Sequence, residues 1–271
     1  MTGGIGPLLL VGCGNMGRAL LAGWLARGTP AQSVTVIEPG PDQAAAARQL
    51  GVQVLDDAAG LPADYRPAVV LLAVKPQAMD AVIPAYARFA GSACFLSIAA
   101  GKTLASLQRG LGNAALVRTM PNTPAAVGRG ITVAVPNASI TSDMKTACTA
   151  LLEAVGEVVW VGDEALLDAV TAVSGSGPAY VFLLIEAMAQ AGVAAGLPPD
   201  LAARLARATV AGSGELAARS ADDPAQLRKN VTSPGGTTQA ALEVMMAPDG
   251  LPTLMTRAVA AATRRSRELA S

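Results

Sequence analysis

Residues 8 to 38 restrict the fold more than any other part of the chain, because they spell a strand, a glycine turn, a helix and a second strand in unbroken order. Leu8-Leu-Leu-Val11 is a short apolar run. Gly12-Cys-Gly-Asn-Met-Gly17 is a G-x-G-x-x-G turn, Arg18 to Arg27 carries an apolar face at helical spacing, and Val34-Thr-Val-Ile37 reads as the next strand. Each glycine has its own duty. Gly12 makes the tight turn, Gly14 lets a pyrophosphate approach the backbone, and Gly17 lets helix and strand pack closely, with the phosphates on the helix N-terminus. The glycine pattern alone is weak evidence, but Glu38 ends the second strand 21 residues after Gly17 (38 − 17). A dinucleotide fold places there the acid that binds the adenosine ribose hydroxyls.

Beyond this unit, strand-like segments recur at Val52 to Leu55, Val69 to Val74, Cys94 to Ile98, Leu116 to Arg118, Ile131 to Val135 and Val158 to Val161, with helical stretches between the earlier ones at Asp42 to Leu50 and Leu104 to Leu111. Such alternation predicts an α/β fold, a doubly wound and mainly parallel Rossmann-type sheet. From Asp163 the strand signals stop and the text becomes Ala- and Leu-rich at helical spacing. We therefore expect a dinucleotide-binding domain over 1–162 and an all-α domain over 163–271. The helix from Pro178 to Gly192 is apolar nearly all the way round, broken only by Glu186 and Gln190. It needs cover on several sides, from its own chain or from a second subunit, and we expect the second subunit.

A second candidate site lies in the helical half. Asn230-Val-Thr-Ser-Pro-Gly-Gly-Thr-Thr238 lays four hydroxyls around a Pro-Gly-Gly turn just before a helical run. Pro234 fixes one φ, while Gly235 and Gly236 permit positive φ and close backbone approach. Unpaired N–H groups at the helix start, with Ser233, Thr237 and Thr238 as added donors, suit a small carboxylate. The plain alternative is an ordinary capped helix start.

Several classes of function drop out. The sequence holds no histidine, which excludes Ser-His-Asp and Cys-His nucleophiles and His-ligated zinc. Basic and acidic residues balance at 20 each, so nothing asks for nucleic acid or an anionic membrane as partner. The purest apolar run, Val69 to Val74, is a strand's length, and no basic leader precedes Leu8; we expect a soluble, cytoplasmic protein without a signal peptide. Cys13, Cys94 and Cys148 lack metal-ligand spacing and read as reduced thiols, Cys13 being merely a small residue in the turn.

Three further segments complete a pattern: Ala73-Val-Lys-Pro-Gln77, Arg118-Thr-Met-Pro-Asn-Thr-Pro124 and Ser174-Gly-Ser-Gly-Pro-Ala-Tyr180. With Gly12 to Gly17 and Asn230 to Thr238 they resemble the pyrroline-5-carboxylate reductase family over essentially the whole chain. The resemblance implies a Rossmann domain, a helical domain that intertwines with a partner subunit in a homodimer or a multiple of it, and an active site between them. It also implies roles. Gly12, Gly14, Asn15, Met16 and Gly17 would cradle the pyrophosphate of NAD(P)H. Ala73 and Lys75 would lie along the nicotinamide, with Pro121 and Asn122 nearby. Ser233, Gly235, Gly236, Thr237 and Thr238 would hold the substrate pyrroline-5-carboxylate, Thr238 at its ring nitrogen.

The implied chemistry suits a chain without imidazole. Reducing a ketone leaves an alkoxide that needs a proton donor, whereas a protonated cyclic imine is already cationic and hydride addition neutralises it. Position and electrostatics then supply most of the acceleration. One departure concerns the cofactor: where many relatives carry Asn, Arg, Ser or Thr after the second strand, this chain has Ile37-Glu38-Pro39. A carboxylate there accepts from ribose hydroxyls and repels a 2′-phosphate, so NADH is the expected partner. Two rivals share the domain order or the first motif: a 3-hydroxyacid dehydrogenase of the 6-phosphogluconate type, and a non-catalytic dinucleotide-binding module. The first uses a lysine on the long helix of its second domain, and Ser174 to Gly196 contains none. The second has no purpose for the Pro-Gly-Gly loop.

Overall fold

The computed structural model describes residues 5–270. The expectation about a leader falls partly on residues 1–4, outside the described residues. Among the described residues eight strands form one sheet: β1 (Leu8–Val11), β2 (Val34–Ile37), β3 (Gln53–Leu55), β4 (Val69–Leu72), β5 (Cys94–Ser97), β6 (Ala115–Met120), β7 (Gly130–Pro136) and β8 (Gly156–Trp160). Their order is β3-β2-β1-β4-β5-β6-β7-β8, and only the β6–β7 pairing is antiparallel. The chain leaves β1 toward β2 on one side and later returns to β4 on the other. That reversal opens a crevice outside the carboxyl ends of the strands, where doubly wound sheets bind ligands.

The apolar runs become central strands because parallel strands are covered on both faces. Every residue of β1, β2, β4 and β5 is buried. Alternate side chains feed two cores. Leu8, Leu10, Val34, Val36 and Leu71 pack with Trp24 of α1 (Asn15–Ala26), while Leu9, Val11, Val70 and Leu72 pack on the opposite face. The helix expected over Asp42 to Leu50 is α2 (Pro41–Arg48), started by a proline whose missing N–H costs nothing there. Next come α3 (Pro76–Val82) and α4 (Leu104–Leu111), whose Met79, Leu107 and Leu111 fill the second core, and α5 (Ser142–Leu152), which fills the first. The Trp24 indole N–H donates to Leu151 O at 2.8 Å, tying α1 to the end of α5.

After β8 the chain is helical: α6 (Leu166–Val170), a π-helical turn over Thr171–Gly175, α7 (Gly177–Ala194), α8 (Pro199–Arg219), α9 (Pro224–Asn230), α10 (Thr237–Met245) and α11 (Leu251–Ala270). By contacts the chain forms two compact units, one running to Gly175 and taking in Thr263 onward, the other covering Ser176–Ala262. The first unit thus keeps the helical stretch just after β8 and the last turns of α11. Within it, Asp168 on α6 accepts from Ser266 Oγ at 2.7 Å and lies 3.7 Å from Arg267 Nε. Buried Arg118 on β6 pairs with Glu164 at 2.7 Å, and the same Glu164 oxygen accepts from Leu104 N–H at the start of α4.

In the second unit α7 packs on α8, with Ala202 and Ala206 of α8 buried. No residue of α7 is buried in the single chain; Phe182 and Leu183 are 58% and 63% exposed. By length and composition alone, the continuous run Leu166–Ala194 is apolar enough to cross a membrane. Its apolar side chains require cover that one copy of the chain does not supply.

Candidate active site

The glycine turn belongs to the first unit. Gly12 leaves β1 at φ 88° and donates to Ile37 O at 2.8 Å, while Ala73 N–H donates to Val11 O at 2.7 Å. A Cβ on Gly12 would stand 2.8 Å from Ala73 O, and one on Gly17 would stand 2.6 Å from Gly12 O, so neither position accepts a side chain. Gly14 is different. Open space lies where its Cβ would be, and it occupies the N-cap of α1 with no side-chain cap. Its carbonyl accepts from Arg18 N–H at 2.8 Å, which leaves the N–H groups of Asn15, Met16 and Gly17 for an outside acceptor. A cleft of about 150 Å³ opens at this point, lined by Cys13, Gly14, Asn15, Arg18, Asp42 and Gln43 among others.

Glu38 sits at the end of β2, half-buried against the turn. Its Oε2 accepts from Cys13 N–H at 2.6 Å and its Oε1 from Gly40 N–H at 2.9 Å. The carboxylate is thereby fixed beside the cleft and braces the turn at the same time. Burial, and secondly the negative charge of Glu38, push the Cys13 thiol up to about 11, with Arg18 opposing. Cys13 is therefore a neutral filler, as its place in the motif suggests.

The remaining sites expected in the first half lie on the same edge of the sheet. Ala73 follows β4, and Lys75 is exposed at the N-cap of α3, just before Pro76. Pro121, buried, and Asn122 follow β6. The Asn122 side chain accepts from Ile131 N–H at 2.9 Å, so it holds its loop against β7. The sheet therefore brings Gly12 to Gly17, Glu38, Ala73, Lys75, Pro121 and Asn122 to one rim, since β1, β2, β4 and β6 all point their carboxyl ends that way.

The Pro-Gly-Gly loop belongs to the second unit and joins α9 to α10. Gly235 takes φ 70°, a left-handed value that disfavours any side chain. Its N–H donates to Gln239 Oε1 at 2.8 Å, and Gly236 N–H donates to Ser233 O at 3.0 Å, which folds the loop back on the helix start. Gly236 is the N-cap of α10, and no side chain caps that helix. A Cβ on Gly236 would stand 2.6 Å from Ser233 Oγ. Ser233 and Thr237 are exposed and Thr238 is half-buried, at the second position of α10. The arrangement presents the N–H groups at the start of α10 and the hydroxyls together, with no acidic side chain in the helix's first turn, which suits an anion.

Three polar residues of the cleft carry no part in the motifs. Arg18, Asp42 and Gln43 line the space beside Gly14. Arg18 carried a faint signal, as a charge in the first turn of the helix behind the glycines. Asp42 and Gln43 carried none, because only the curl of the chain after β2 brings α2 to the turn.

Comparison with known proteins agrees with both halves. Residues 164–269 match the family described as pyrroline-5-carboxylate reductase dimerisation, and residues 8–101 match NADP oxidoreductase, coenzyme F420-dependent. A pyrroline-5-carboxylate reductase of Pseudomonas aeruginosa is 43% identical over 97% of this chain and 96% of its own length. The solved pyrroline-5-carboxylate reductase of Coxiella burnetii superimposes with a TM-score of 0.92 at 33% identity, covering 98% of this chain and 99% of its own. A Plasmodium falciparum pyrroline carboxylate reductase with NADP bound gives a TM-score of 0.82 at 28% identity, over 98% of both chains.

Proposed function

Since the chain belongs to the pyrroline-5-carboxylate reductase family, we propose that the glycine turn of the first unit and the Pro-Gly-Gly loop of the second divide one reaction between them. The protein is an oxidoreductase of proline biosynthesis that reduces the C=N bond of 1-pyrroline-5-carboxylate to give proline, using NAD(P)H. Neither a hydroxyacid nor a purely binding role is favoured by its relatives. The observation that carries the division of labour is the pair of helix starts, α1 and α10, that are glycine-capped and lack a side-chain cap. Such starts suit a pyrophosphate at the first and a carboxylate at the second.

The residues of the turn fit a dinucleotide, because Gly14 leaves an open cradle beside unpaired N–H groups. In this reading Gly12, Gly14, Asn15, Met16 and Gly17 hold the pyrophosphate and Glu38 accepts from the ribose hydroxyls. Ala73, Lys75, Pro121 and Asn122 shape the nicotinamide side, Asn122 by fixing its loop. Bound there, the reduced nicotinamide supplies the hydride. Ser233 and Thr237 hold the substrate carboxylate by O–H and N–H donation, in a turn that Gly235 and Gly236 shape. Thr238 orients the ring nitrogen, so that the imine carbon is presented in one pose.

The finer cofactor choice rests on Glu38. Its fixed negative charge beside the cleft supports NADH, since a 2′-phosphate placed there meets a carboxylate already committed to Cys13 and Gly40. NADP is bound in the Plasmodium falciparum relative. We assign self-association to the helical half, residues 163–271, and take a partner subunit, not a membrane or a nucleic acid, as the cover for α7. Free thiols at Cys13, Cys94 and Cys148 suit a cytoplasmic setting.

The test is direct. Purified protein is mixed with NADH or NADPH and then with pyrroline-5-carboxylate, and cofactor oxidation is followed. Oxidation dependent on that substrate is expected. Turnover confined to 3-oxoacids would defeat the proposal.

A further inference from the structure

Two of the three cysteines meet at the edge of the sheet opposite the glycine turn. Cys94 is the first residue of β5 and Cys148 lies on the buried face of α5, with their Sγ atoms 3.4 Å apart. Both thiols are free and share an S–H···S contact. A groove of about 480 Å³ reaches this place, walled by Ala68, Val69 and Cys94 on the sheet side and by Asp143, Met144 and Ala147 on α5. Cys94 is one of its walls and Cys148 is not. Both residues are almost wholly buried, at 1% and 0% exposure, but Cys94 is the one that borders the groove, so a small reagent entering there reaches Cys94 before Cys148.

We propose that Cys94 and Cys148 are a latent intrachain disulfide, formed when a small two-electron oxidant of the peroxide class reaches Cys94 through this groove. In the first step one peroxide oxygen is transferred to Cys94 Sγ, giving a sulfenic acid and one water. Cys148 Sγ then attacks Cys94 Sγ, the S–O bond breaks, and a second water leaves. Two thiols and one peroxide become one disulfide and two waters; the sulfurs give up two electrons and the peroxide takes them. The sulfurs must close from 3.4 Å to about 2.05 Å, the length of the bond.

The pair is protected as well as poised. The contact with Cys94, then burial, push the Cys148 thiol well above the usual thiol range, which keeps it protonated. Thiolate is the reactive form, so the attack of Cys148 on oxidised Cys94 is the slow step and the bond forms slowly. Once formed, it ties β5 to α5 and closes a loop of 54 residues (148 − 94), which restricts the unfolded chain. The carboxyl ends of the strands, where the ligand-binding rim lies, are left untouched.

The experiment uses the full-length protein. It is exposed to hydrogen peroxide near neutral pH, remaining thiols are capped with N-ethylmaleimide in denaturant, and peptides are read by mass spectrometry. A single crosslink joining the Cys94 and Cys148 peptides, lighter by two hydrogens, is expected, with Cys13 capped. Tm should rise by several degrees and fall back on adding dithiothreitol. Cys148→Ser should lose both the crosslink and the rise, leaving Cys94 as an oxyacid; Cys94→Ser should lose both as well, and serves if the first variant does not fold. Three capped thiols after treatment, a bond to Cys13 or between subunits, or a crosslink with no rise in Tm would each overturn the proposal.

Discussion

Thr238 stands at the second position of α10, and Gly236 holds the N-cap, so the capping task that threonines at helix starts usually perform is not the one Thr238 has. A threonine kept for a cap costs ~1 kcal/mol of stability when lost, with little change in turnover. One kept for the substrate does the reverse. Thr238→Ala should hold its Tm and its cofactor affinity while kcat/KM for pyrroline-5-carboxylate falls about 10- to 100-fold, roughly 1.4 to 3 kcal/mol. Unchanged kcat/KM with a lowered Tm would return Thr238 to a structural role. Glu38 carries a second prediction. Glu38→Ser removes the charge proposed to repel a 2′-phosphate but also the tie to Cys13 N–H, so affinity for both cofactors should fall. The ratio is the informative quantity: kcat/KM should shift toward NADPH, and a wild type that already prefers NADPH by about tenfold, ~1.4 kcal/mol, would refute the assignment. Residue identity told where Glu38 lies, because strand length and motif spacing place it. The bonds to Cys13 and Gly40, and the approach of Arg18, were not legible, since they depend on how the turn curls in space.

Strands and helices were legible to within a few residues wherever burial is two-sided or the apolar face is regular. β1, β2, β4 and β5 are such elements, buried throughout and apolar but for Thr35 in β2 and Ser97 in β5, a pattern that suits a sheet covered on both faces. The Ser174-Gly-Ser-Gly-Pro segment reads differently in sequence and in space. It opens the long helix as expected, yet the helical run begins earlier, at Leu166, and passes through a π turn. There the hydroxyls of Thr171 and Ser174 bond back to Leu167 O and Val170 O at 2.7 and 3.0 Å. Side-chain bonds of this kind disturb the regular ladder, and no spacing rule announces them. α7 itself makes the clearest demand of any element. Burying a leucine or phenylalanine side chain contributes about 1.5–3 kcal/mol, and Phe182 and Leu183 are largely bare in one copy. Light scattering across a dilution series should therefore show a dimer or a multiple of it. Phe182→Asp combined with Leu183→Asp should drive it apart or unfold it; a folded, active monomer of the parent would show that α7 needs no partner.

At the scale of the whole molecule, the alternation of strands and helices gave a doubly wound sheet, and the end of strand signals marked where helices take over. What it did not give is the antiparallel step at β7, since a strand's direction is set by the connection before it and not by its own residues. Nor did it show that α11 passes from the second compact unit back into the first, where Ser266 and Arg267 meet Asp168. A ribosome delivers a chain in one direction only. The sheet and α6 emerge early, the whole of Ser176–Ala262 follows, and only then does the turn of α11 that completes the packing around Asp168. The unit begun first is thus finished last. During synthesis its Asp168 surface waits uncovered while another unit is made, and that interval is when a nascent chain is open to chaperones and to misassembly.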